Sequence, residues 1–210
     1  MTIYAISDLH LPGGDQKEMV IFGAHWVDHF ARICADWRAR VTDADLVLLP
    51  GDMSWAMHLE DALPDLRAVA ELPGKKILLR GNHDYWWSAI SRLRASLPPS
   101  LYALQNDAIT LHGVTLCGTR GWTCPGDMAL SAEDEKIYQR EIVRLQLSLC
   151  DARRRAPTGP LLAMMHYPPF NERQEVSPFT RLFTAYGVTH VVYGHLHGAS
   201  LRHAFSGMLD

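Results

Sequence analysis

"LLRGNHDYWW", residues 78–87, runs from an apolar segment into glycine, amide, imidazole and carboxylate, and then into three aromatics. The apolar part begins as "KILLR" at 76–80, the make-up of a strand buried on both faces. Gly81, Asn82, His83 and Asp84 therefore stand at the carboxyl end of a strand. Open α/β sheets bind their ligands at that end.

The arrangement recurs along the chain. Short apolar runs lie at 3–7, 46–50, 114–118, 161–165 and 189–193. Asp8-Leu9-His10 follows the first, Gly51-Asp52 the second, His166 the fourth and Gly194-His195-Leu196-His197 the last. Helical patterns separate several of the runs. Residues 27–40 and 59–71 carry two of them. In 131–154, Ser131 and Asp134 resemble a capping box, and Tyr138, Ile142, Leu145 and Leu149 form one apolar stripe. "FTRLFTAYG" reads as a short helix closed by Gly187. Strands alternating with helices predict an α/β architecture with a parallel or mixed sheet.

Composition narrows the function. The 210 residues fit one domain, 1–210, with no internal repeat and no linker-length break. Twenty basic and 23 acidic residues give a net charge of −3, so no basic footprint for bulk nucleic acid is expected. The run Arg153-Arg154-Arg155 reads as a solvated helix end. No apolar stretch approaches the ~20 residues of a membrane span. "MTIYAISDLH" lacks the basic region of a signal peptide. Four cysteines without a Cys-x-x-Cys pair read as reduced thiols in a cytoplasmic protein.

Asp8, His10, Asp52, Asn82, His166, His195 and His197 are too many donors for a closed structural zinc site of four ligands. The number suits two metal ions with open positions and a bridging carboxylate. Nitrogen and oxygen donors without thiolate favour Mn, Fe, Co or Zn over Ca. Gly51, Gly81 and Gly194 precede ligands, where the chain must turn off its strand and let backbone come close.

These blocks (Asp-x-His, Gly-Asp, Gly-Asn-His-Asp, a lone His and Gly-His-x-His) occur in the order that characterises the calcineurin-like metallophosphoesterases, which this sequence resembles from position 8 to 197. The resemblance implies a four-layer α/β/β/α sandwich of two mixed sheets between helices, with metals at the strand ends. It implies that Asp8, His10 and His197 hold one divalent ion, that Asn82, His166 and His195 hold the other, and that Asp52 bridges them. Water activated by the two cations would attack phosphorus in line. His83 would serve as general acid or stabilise transition-state charge.

The match also departs from relatives. Protein Ser/Thr phosphatases continue the Gly-Asp block with a second Asp that orients the catalytic His. Trp55 of "GDMSWAM" stands there instead. Asp84 is then the nearest candidate to orient His83. "GDMSWAM", "RGNHDYWW" and "GTRGW" together resemble a bacterial group of predicted phosphohydrolases. Trp55 and Trp122 are candidates either to line a substrate pocket or to pack the sheet against a helix. Trp86 and Trp87 read as packing. Arg120 is a candidate either for a phosphate contact or for a structural salt bridge. Relatives continue beyond the last motif, so "SGMLD" at 206–210 reads as a shortened C-terminus. Histidines outside the motifs, including His29, His58 and His203, read as ordinary surface or core residues, and Asp43, Asp45 and Asp61 as surface charges.

The expected activity is metal-dependent hydrolysis of a small soluble phosphate ester, diester or monoester. The alternatives are a nuclease or pyrophosphate-bond hydrolase, and a non-catalytic scaffold that kept the fold. The intact ligand set speaks against the last.

Overall fold

The structure is a computed structural model that describes residues 1–14, 19–127 and 129–204. The His203 side chain and the stretch 206–210 lie outside the described residues. The chain forms two compact units, Met1–Ala103 and Leu104–Asp210.

In the first unit, β1 (Ile3–Ala5), β2 (Leu46–Leu49), β3 (Lys75–Leu78) and β4 (Leu101–Ala103) make a sheet of that order. Every pairing in it is parallel. Helices α1 (His29–Arg40), α2 (Leu59–Ala70) and α3 (Ile90–Ser96) supply the connections. All four residues of β2 are buried, as a continuous apolar run requires. Leu59, Ala62, Leu66 and Val69 line the buried face of α2 and share a core with Val47, Leu49 and Leu78. The first three strands stop one or two residues short of the apolar runs that mark them, because the chain there leaves the sheet for the polar loops.

In the second unit, β5 (Ile109–Leu111), β6 (Val114–Thr119), β7 (Leu161–Met165) and β8 (Val188–Tyr193) form the other sheet. β5 and β6 pair antiparallel across His112-Gly113, both at positive φ, 49° and 79°. A two-residue hairpin needs that backbone. The remaining pairings are parallel. Tyr138, Leu145 and Leu149 of α4 (Ala132–Arg155) are buried in a core shared with Leu161, Ala163 and Met165 of β7. The Ser131 side chain accepts from Asp134 N at 3.1 Å and caps α4. Helix α5 (Pro178–Ala185) opens with a complete capping box at Ser177, and Gly187 behind it has φ 61°.

Two sheets flanked by helices make the α/β fold that the motif order implies. Mixed pairing is confined to the second sheet. Two polar groups differ from expectation. Asp45 is buried, not a surface charge. The amides of Thr2 and Thr42 and the Thr42 hydroxyl hold its carboxyl down at about 2. Arg153 is no solvated helix end: it donates to the carbonyls of Tyr186, Gly187 and Gly159 and ties α4 to the end of α5.

Candidate metal centre

Beyond the strands of the first unit, two loops continue to pair. Asp8 N donates to Gly51 O and His10 N to Asp52 O, both at 3.0 Å, and Leu11 N donates to Met53 O at 2.9 Å. This zipper sets Asp8 and His10 beside Asp52. His10 Nε2 lies 3.8 Å from Asp8 Oδ1 and 3.9 Å from Asp52 Oδ2. Three donor atoms of the metal-ligating kind therefore converge within one unit. Asp8, His10 and Asp52 have φ of 60°, 46° and 54°, the left-handed region that non-glycine residues enter rarely. Such backbone strain persists only where the surroundings enforce it, and it concentrates at functional sites.

The Gly81 loop closes onto the same place. A Cβ at Gly81 would meet Asp52 Oδ1 at 2.0 Å and Asp52 N at 2.3 Å, so no side chain fits there. His83 N donates to Asp52 Oδ1 at 2.9 Å, and the Asn82 amide also faces that carboxyl. Burial, followed by the neighbouring Asp84 carboxyl, pushes Asp52 up to about 8. Two carboxyls held close with so little water are costly as bare anions. A divalent cation offsets that cost, so the donor set fits a metal.

Asp84 does not orient His83. Its carboxyl is fully buried and its oxygens are committed elsewhere. Oδ2 accepts from Asp52 N at 2.9 Å and Gly81 N at 2.7 Å. Oδ1 accepts from Met53 N at 2.9 Å, Ser54 N at 3.3 Å and Trp86 Nε1 at 3.0 Å. Asp84 fastens the loop that bears Asp52 to the loop that bears Asn82. Burial raises its pKa, and the amides oppose that shift.

The aromatics divide by role. Trp55 stacks on His10 with centroids 5.0 Å apart and an interplanar angle of 21°, and its ring lies 4.5 Å from that of His83. It packs against the candidate site residues themselves. Trp86 and Trp87 are buried packing residues, and Tyr85 is exposed. Two residues near the site carry no motif. Trp26 meets His10 edge-on at 5.9 Å, and His29 places Nε2 at 2.9 Å from Leu9 O. They lie in a stretch that reads as plain helix or loop, so periodicity offers no sign of them.

In the second unit, the loops at 120, 166 and 194 pair in the same manner. His166 N and Tyr167 N donate to Arg120 O, and Gly194 N donates to His166 O. His166 is fully buried, and its ring meets that of His195 at 5.1 Å. His195 has φ 71°, and the Tyr167 ring lies 4.1 Å from its own. His197 is exposed, and its amide donates to Ser200 Oγ at 2.9 Å.

The other two candidate substrate contacts, Arg120 and Trp122, lie in this unit. The Arg120 guanidinium stands 3.5 Å from buried Glu141 and 4.7 Å over the Trp122 ring. Glu141 also receives Thr119 Oγ1 at 2.5 Å and Arg144 at 2.6 Å. Trp122 donates Nε1 to Asp134 at 3.0 Å and packs on Tyr167 at 5.0 Å.

The calcineurin-like phosphoesterase family profile matches residues 1–199, and the chain belongs to that family. No curated protein matches it at a significant level. Among solved structures, it is similar to a protein of unknown function from Aquifex aeolicus, at 18% identity and TM-score 0.44 over 92% of this chain and 89% of that one. It is similar also to the phosphopantetheinyl hydrolase of Mycobacterium tuberculosis, at 17% identity and TM-score 0.51 over 93% of this chain and 83% of that one. At this distance the second likeness shows the shared fold. The family supports hydrolase activity in general and the binding of divalent metals.

Proposed function

We propose that this protein is a metal-dependent hydrolase of small phosphate esters. Asp8, His10, Asp52, Asn82, His166, His195 and His197 would hold two divalent ions. The observation that carries the reading is the trio of Asp8, His10 and Asp52. Their donor atoms converge to within 3.9 Å of His10 Nε2 on left-handed backbone. Neither packing nor helix capping accounts for strain at all three.

When bound, the ions would polarise a phosphoryl oxygen and lower the pKa of water. Asn82 would offer its amide oxygen without adding a negative charge. Asp52, gripped by the amides of His83 and Asn82, is kept in a fixed orientation. His83 lies beside His10 and Trp55, where its ring can hand a proton to a leaving-group oxygen or stabilise charge there. Trp55 walls the ring in and restricts water on that side. The net charge of −3 favours a small substrate over a nucleic-acid chain.

The test uses metal-stripped protein with Mn added back, a chromogenic phosphodiester and the matching monoester, and Asp52→Asn as control. Mn-dependent cleavage absent from the control is the expected result. Failure to bind any divalent metal would sink the proposal. The ratio of diester to monoester turnover names the subclass.

A further inference from the structure

The second unit contains a cavity of about 340 Å³ with His195 in its wall. Cys124, Tyr167 and Phe170 line it and are nearly buried, which makes its floor apolar. Glu172 and Arg202, of opposite sign, line it as exposed residues. The volume falls at the lower end of the range for pockets that hold organic ligands. An isolated phosphate or a methyl ester would leave such a space unfilled.

The walls are pre-formed. Tyr167 is packed by His195, His166 and Trp122, and Phe170 meets Tyr193 edge-on at 5.6 Å. The turn at 170–175 is held by Asn171, whose Nδ2 donates to Pro125 O at 2.9 Å and whose Oδ1 accepts from the amides of Arg173 and Glu175. Its shape is therefore set before a ligand arrives. Tyr167 is already covered by three rings and offers little open face to a nucleobase. The floor suits an aliphatic body, and Glu172 and Arg202 suit a polar end.

We infer that this cavity is the subsite for the organic group of the ester, and that it selects phosphate esters with an extended, mainly aliphatic substituent over minimal ones. The inference rests on the hydrolase reading above only in assigning His195 to the metals. No covalent step belongs to it.

Binding tests it without relying on turnover. Methylphosphonate and hexylphosphonate would be titrated into Mn-loaded full-length protein by calorimetry. The hexyl compound should bind at least about tenfold more tightly, since the added methylenes leave water. Thr123, exposed and lining the cavity, offers the blocking variant. In Thr123→Trp the ratio of the two affinities should fall toward one, and circular dichroism would verify the fold. Equal affinities in the native protein would overturn the inference, as would a preference that Thr123→Trp leaves intact. A chain-length preference without cleavage of any ester would keep the subsite and overturn the hydrolase. Binding of neither phosphonate would overturn both.

Discussion

His83 and Asp84 are neighbours in sequence with opposite surroundings. His83 stands among rings at the site, whereas Asp84 faces five donors and no solvent. His83→Ala should keep both metals by elemental analysis while kcat falls about 100-fold or more. Loss of metal in that variant would contradict its role. Asp84→Ala should leave buried amides without an acceptor and cost at least about 3 kcal/mol in urea unfolding. Asp52 makes stability depend on pH. In the metal-free protein its pKa is about 8 against an ordinary 3.8, so between those values the folded state holds the extra proton. Stability then falls as pH rises through that window. A bound cation keeps Asp52 ionised and removes the fall. Melting curves from pH 5 to 8.5, with and without Mn, should diverge accordingly.

At the scale of elements, the strands that precede the candidate ligands were legible because each is an apolar run with an Asp, Asn or His within two residues of its end. Two other three-residue strands, Leu101–Ala103 and Ile109–Leu111, were not, since unlike Ile3–Ala5 neither lies in a longer apolar run with a ligand motif behind it. So short a segment shows no period, and pairing with β3 and β6 decides its state. The candidate ligand positions rest on motif order. The task of Asp84 was not legible, because three of its five donors lie about 30 residues away on another loop. Gly81 shows how closely the loops meet. In Gly81→Ala the new methyl must displace the Asp52 carboxylate. Metal affinity should fall about tenfold or more, read by competition with a chromogenic chelator. Unchanged affinity would mean that the loops separate without consequence for the site.

At the scale of the molecule, the family profile runs through both compact units, and each unit brings its own set of candidate ligands on loops that pair beyond the strands. All four cysteines are free thiols, and no described helix is long and apolar enough to cross a membrane. Metal that binds only the folded chain should raise its melting temperature in proportion to the logarithm of metal concentration. Removal by chelator should lower it, and re-addition should restore it. A melting temperature indifferent to metal would mean that the donors do not act as ligands.

The left-handed backbone at Asp8, His10, Asp52 and His195 has a consequence for anyone who would transplant this chemistry. A helix or strand of another scaffold cannot present these side chains in the same directions, because the directions come from a conformation that regular elements forbid. What must be moved is the pair of zipped turns together with the Gly81 loop, whose glycine lets it meet Asp52 and whose buried acid, Asp84, fastens it there. The amino-acid alphabet at those positions is narrowed twice, by coordination and by backbone. Asn and Gly meet the second constraint at low cost, while Val and Ile meet neither.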